Sequence, residues 1–205
     1  MSEPREIAAV ADEVAPGLWH WRISNSGIGG NVSSSQALMT MDGCVLIDPV
    51  GLDASALAAL PRPMATLLTA RCHQRAAWRY RRELGAEVWL PVDATPADEE
   101  PDHRYADGDR LPGGLRALRT PGPEWPHYSF LYEGDPGIVF CSDLLMNRDA
   151  ELRFIPPHLH DDPAATRASV ERLLELPFGI LCFAHGEPII DDPKTALREV
   201  LAEAE

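Results

Sequence analysis

The chain has 205 residues, 45% of them hydrophobic, with a formal net charge of −14 and a pI near 4.8. That apolar content is too high for a disordered chain, and the length allows one well-buried core or at most two small ones. The acidic balance disfavours nucleic acid and anionic membrane surfaces as partners, and no apolar run approaches the roughly 20 residues that span a bilayer.

The opening residues Met1-Ser2-Glu3-Pro4-Arg5-Glu6 lack the basic-then-apolar layout of a signal peptide, so a cytoplasmic protein is expected. Leu18–Ile23 alternates apolar and polar residues and predicts a half-buried strand. Ser35–Met41, the turn Asp42-Gly43 and Cys44–Pro49 predict a hairpin, because Asp-Gly favours the tight primed turn. A short helix is predicted from Asp53 to Leu60, ending before Pro61, then a buried strand over Ala65–Thr69. A helix over Arg75–Leu84 stops at Gly85, and a strand follows over Ala86–Pro91. Asp93–Pro112 is polar, with proline and glycine, and reads as a connector.

The second half repeats the pattern. Strands are predicted over Leu115–Arg119, Ser129–Tyr132 and Ile138–Cys141, the last two joined by the turn Gly134-Asp135-Pro136-Gly137. A helix spans Pro163–Leu176, with Asp162 as N-cap and Pro163 at its first position, where a missing N–H costs nothing. A strand over Ile180–Ala184 and an amphipathic helix over Pro193–Ala204 close the chain. Two strand-rich units with helices predict one layered α/β or α+β domain over 1–205. Cys44, Cys141 and Cys182 lie in apolar runs and read as reduced core thiols.

Between the strand ending at Thr69 and the next helix stands Thr69-Ala70-Arg71-Cys72-His73-Gln74-Arg75. Its placement resembles the Thr-His-x-His-x-Asp-His signature of the metallo-β-lactamase superfamily. Other segments resemble that family too: Val45-Leu46-Ile47-Asp48-Pro49, Thr120-Pro121-Gly122-Pro123, Cys141-Ser142-Asp143 and Ala184-His185-Gly186-Glu187. The resemblance implies a four-layer αββα sandwich with an approximate internal duplication. The positions that hold metal ligands in the family here read Ala70, Cys72, Gln74, Arg75, Pro123, Asp143 and His185.

Ala70 and Pro123 have no donor side chain, Gln74 is a weak neutral donor, and Arg75 is permanently cationic. The resemblance therefore implies a pocket that has lost its two-metal chemistry, with no cofactor expected. Arg75 is expected to pair with Asp143, near Asp48 and Gln74, and to stand in for the missing cation. One alternative keeps a single zinc ion on Cys72, Asp143 and His185. Another makes Cys72 a metal-free nucleophile, activated by His185 or His73 and the neighbouring arginines.

His73 occupies a spacer position and is expected to face away from the pocket; His158 and His160 are expected on a surface loop away from it. His20 is expected to pack at the surface. Trp125 and Tyr128, beside His127, are placed at a pocket mouth, and the glycine-rich loop Ser24–Asn31 at the pocket edge. Arg71, Arg75, Arg79 and Arg82 recur at helical spacing and read as a solvated face rather than an anion site. The expected function is a family member without most of its metal ligands, its pocket kept for an unknown small molecule or a protein. The alternative is a hydrolase of the lactone, thioester or phosphodiester class. Self-association is left open.

Overall fold

The computed structural model describes residues 3–203, so Met1, Ser2 and the predicted helix end at Ala204 lie outside the described residues. The first sheet has seven strands in chain order: β1 (Asp12–Ala15), β2 (Leu18–Asn25), β3 (Asn31–Thr40), β4 (Gly43–Ile47), β5 (Pro63–Leu67), β6 (Glu87–Pro91) and β7 (His103–Tyr105). Strands β1 to β4 pair antiparallel, and β4 to β7 pair parallel. The parallel half needs crossovers: α1 (Ala54–Ala59) joins β4 to β5, α2 (Ala77–Leu84) lies between β5 and β6, and residues 92–102 join β6 to β7 without a helix.

The second sheet runs β13-β10-β9-β8, from β8 (Leu115–Arg119), β9 (Tyr128–Tyr132), β10 (Ile138–Ser142) and β13 (Ile180–Phe183). A separate hairpin, β11 (Leu145–Arg148) with β12 (Glu151–Phe154), follows the interior strand β10, and α3 (Pro163–Leu173) comes after it. Helix α4 (Pro193–Glu203) closes the described chain.

Alternation in the strands decides the layers. Leu18, Leu38, Val45, Ile47 and Leu67 of the first sheet meet Leu115, Phe130, Phe140 and Ile180 of the second in one dry interior. The opposite face of the first sheet, with Trp21, Ala37 and Leu46, packs on Ala56 of α1 and Tyr80 of α2. Leu131, Val139 and Leu181 on the outer face of the second sheet pack on Val170 of α3 and Leu197 of α4. The architecture is the expected αββα sandwich. The helix starts are chemical: Asp53 and Asp162 accept from the N–H groups of Ala56 and Ala165, at 2.8 and 3.0 Å. Asp162→Ala should lower stability by about 1 kcal/mol in urea unfolding; no change would mean that solvent already serves those N–H groups.

The structure adds elements the pattern did not signal. β7 lies inside the predicted connector, held by the stack of His103 on Trp89 at 4.2 Å. β3 begins four residues before the predicted strand, in Asn31-Val32-Ser33-Ser34. Ser33, Ser34 and Gln36 of this strand are buried, and Ser34 and Gln36 join the two sheets. The N–H of Ser34 donates to Ala184 O (2.8 Å), its Oγ accepts from Gly186 N (3.0 Å), and Gln36 Nε2 donates to Phe183 O (2.9 Å). The two sheets are thereby fixed to each other where four strands end: β4, β5, β10 and β13.

Candidate functional site

The C-terminal ends of those four strands carry Asp48, Thr69, Ser142-Asp143 and His185. A crevice beyond the ends of parallel strands is where open α/β sheets place ligands. Asp48 is at the floor, 2% exposed. Its Oδ1 accepts from Thr69 N (2.8 Å), and its Oδ2 from Thr69 Oγ1 (2.6 Å) and His73 Nδ1 (2.9 Å). Ser142 Oγ lies 2.7 Å from Thr69 Oγ1 and 3.2 Å from His73 Nδ1. Asp48, Arg75 and Ser142 all hold positive φ (44°, 38° and 54°). Such backbone costs about 1–3 kcal/mol per residue and persists where surrounding contacts over-determine it.

His73 is the centre of the site, contrary to the expectation from its spacer position. It is 3% exposed, with Nδ1 on Asp48 and Nε2 3.1 Å from Asp143 Oδ2. The reason is local: Arg71–His73 forms a single 3-10 turn, not an extended segment. At three residues per turn successive side chains step by about 120°, so alternation cannot turn a spacer residue away. Cys72 and His73 both reach the pocket.

The expected Arg75–Asp143 pair is not formed. Arg75 is buried, but its Nη1 donates to the carbonyls of Ser34 and Asp48, both at 2.7 Å. It supports the back of the Asp48 turn, and the side chain that meets Asp143 is His73. Gln74 faces away from the pocket, accepting from Asp98 N (2.6 Å) and donating to Arg71 O (2.9 Å). Ala70 is fully buried and bridges to His127, with Thr69 O accepting from Tyr128 N at 2.9 Å.

Four histidines surround Asp143. His185 Nδ1 donates to Val32 O at 2.5 Å and its Nε2 lies 3.1 Å from Asp143 Oδ1. That contact lacks hydrogen-bond alignment, and Asp143 Oδ1 is a buried oxygen without a hydrogen bond. His127 Nδ1 donates to Thr120 O (2.8 Å), and its Nε2 accepts from Asp143 N (3.3 Å). His160, expected on a remote loop, lines the cavity; its Nδ1 lies 3.0 Å from Thr166 Oγ1 and its Nε2 is buried without a partner. The segment folds back because Asp161 N and Asp162 N donate to Pro123 O (3.2 Å) and Gly122 O (2.9 Å).

Other expectations also shift. His20 is 3% exposed and 3.1 Å from Glu187. Trp125 is exposed over Arg119, and Tyr128 is buried against Tyr105. Asn25, Ile28 and Asn31 of the glycine-rich loop do line the cavity. Arg79 pairs with Glu3 and Arg82 with Glu99, but Arg75 is buried, so the four arginines do not form the one solvated face expected.

Charges follow the geometry. Burial opposes a charged His73, but the carboxylates of Asp143 and Asp48 outweigh it and hold its pKa well above 6.5. Burial works against the Asp143 carboxylate, yet His73 and His185 hold it well below the usual range. Asp48 is likewise lowered, despite burial, by His73, Arg75 and Thr69. Burial pushes the Cys72 thiol up and the imidazoles of His127 and His160 down.

Ala70 and Pro123 offer no donor atom to a metal, whereas Cys72, His73 and Asp143 do. Donor atoms of Cys72, His73 and Asp143 lie within 4.8 Å of one another, beside the orphaned Asp143 Oδ1 and the His185 Nε2 that faces it.

No protein-family model and no curated relative matches the sequence. Solved structures do. TTHA1623, crystallised in a di-iron-bound form, is 28% identical with a TM-score of 0.60, covering 77% of this chain and 89% of its own. ST1585 from Sulfolobus tokodaii, an archaeal metallo-β-lactamase superfamily protein, is 15% identical with a TM-score of 0.67, covering 90% of this chain and 85% of its own. The metallo-β-lactamase from Pontibacter korlensis is 15% identical with a TM-score of 0.71, covering 94% and 98% respectively. With these solved structures the chain shares the metallo-β-lactamase fold.

Proposed function

We propose that this pocket binds one metal ion through Cys72, His73 and Asp143, with His185 beside them, and hydrolyses small molecules of the lactone, thioester or phosphodiester class. The observation that carries this reading is the aim of the two imidazoles. Each gives its Nδ1 to a fixed acceptor, Asp48 for His73 and the Val32 carbonyl for His185, and turns Nε2 to the same carboxylate. That is how proteins orient metal-binding histidines. His185 Nε2 and the buried Asp143 Oδ1 stand 3.1 Å apart unaligned, which leaves that oxygen without a hydrogen bond.

A bound metal would supply a Lewis acid and a water of lowered pKa. The chain's own residues do the rest. Asp48 fixes the ring of His73 and keeps its Nδ1 protonated. Glu124 accepts from Cys72 N at 3.1 Å and holds the 3-10 turn against the cavity. Ile28, Met146, Phe154, Ile155 and Leu159 give the cavity an apolar wall for a substrate's non-reacting part.

A second reading rests on a different observation: His73 already sits between two carboxylates at 2.9 and 3.1 Å. Its imidazolium would then be the cation, and the pocket would bind ligands without catalysis. Metal-free chemistry at Cys72 is the weakest reading, since burial moves the thiol away from the nucleophilic thiolate. Elemental analysis separates them. About one equivalent of metal, falling below about a tenth in Cys72→Ser and His73→Gln, is expected. Less than a tenth in the unaltered protein, even after exposure to zinc, would overturn the single-metal reading.

A further inference from the structure

Two cavities meet at this site. The first, about 480 Å³, has an apolar wall of Ile28, Met146, Phe154, Ile155 and Leu159. The second, about 240 Å³, is more polar and runs past Arg22, Asn147 and Gly186. Asn31, Met146, Arg148 and His185 line both. The junction is therefore the edge of the proposed metal site, and the first chamber alone is the size of an ordinary small-molecule pocket.

The charges along this path are unequal in availability. Arg22 is held by Glu187 at 2.7 Å, and Arg153 by Glu151. Arg148 meets a carboxylate only through Nε, 3.8 Å from the exposed Asp149. Among the described residues its two terminal nitrogens have no hydrogen-bond partner. The backbone explains why it stands there: β11 places Met146 and Arg148, two residues apart, on one face, and both line the two cavities where they meet. In a chain of net charge −14, a guanidinium with its fork free beside a catalytic pocket is where a ligand anion would be held.

We infer that the pocket takes a small amphipathic anion, its apolar part in the larger chamber and its carboxylate or phosphate on Arg148. The inference rests on the single-metal reading only in placing the bond to be broken between those two ends, beside Asp143 and His185. Recognition of the anion itself needs no metal.

Calorimetric titration of octanoate, octyl phosphate and neutral octanamide tests it, on chelator-treated and zinc-loaded protein. At least one of the two anions is expected to bind about tenfold more tightly than octanamide, and the better one identifies the anionic group. Arg148→Gln, at an exposed side chain, should bring that anion to the level of octanamide in both preparations. Equal binding of all three, or no binding, overturns the inference. A preference that survives Arg148→Gln but vanishes with the metal also overturns it, while supporting the single-metal reading. A preference that depends on Arg148 in protein unable to take up zinc supports the inference and removes that reading.

Discussion

Replacing His73 with alanine is expected to destabilise the metal-free protein by about 3–5 kcal/mol, the usual result of removing one partner from a buried ion pair. The effect is large because His73 serves two carboxylates at once. Asp48 and Asp143 are both held in their charged forms by it, and neither has another cation in direct contact except His185 beside Asp143. Arg75 does not take over, since its fork is spent on the carbonyls of Ser34 and Asp48. His73→Gln keeps a donor but no charge, and should recover only part of the loss.

The pH dependence has a definite sign. A histidine whose folded pKa is raised contributes stability that is complete below its unfolded value of 6.5 and is lost as pH rises through the folded value. Asp143, with a lowered pKa, contributes above its unfolded value of 3.8 and loses that contribution as pH falls through its folded value. The gap between unaltered protein and His73→Ala is thus widest from about pH 4 to 6.5 and narrows in alkali. Urea unfolding across that range measures it. A gap under about 1 kcal/mol at pH 6 would mean that His73 is not the cation of the site.

The layers were legible from the chain because alternation, turn residues and helix caps all agree. Leu18–Ile23, the Asp42-Gly43 turn and the Asp162-Pro163 cap lie where the pattern put them. Asp48, Cys72, Asp143 and His185 were legible as a constellation because family-like motifs set their places at strand ends. What failed was side-chain direction in irregular backbone. Reading Thr69–Arg75 as evenly spaced positions put His73 outside and Arg75 on Asp143, whereas one 3-10 turn brings His73 inside and Arg75, which also lines the cavity, binds the carbonyls of Ser34 and Asp48 instead. A buried histidine between two aspartates distant in sequence leaves no local trace. His160 was missed for a related reason, since the backbone bonds from Asp161 and Asp162 to the Gly122-Pro123 turn decide its position.

The glycine after His185 carries the second large effect. Gly186 has φ of 111°, and a Cβ built there would meet backbone of β11: Asn147 O at 1.7 Å and Asn147 C at 2.6 Å. No flexible side chain can yield, because Asn147 is itself bound on both sides, its N–H to His185 O at 3.0 Å and its Nδ2 to Glu187 O at 2.8 Å. Gly186→Ala must part β11 from the end of β13, and so tilts His185 away from Asp143 and moves Arg148 from the junction. A loss of about 3 kcal/mol or more is expected, from forbidden φ and overpacking together. Gly108→Ala separates the two contributions: its φ of 84° is also positive, but nothing lies within 4 Å of a built Cβ. That variant should lose only about 1 kcal/mol. Equal urea midpoints for the two would show that β11 is free to move away from His185, and the junction of the two cavities would then be adjustable rather than fixed.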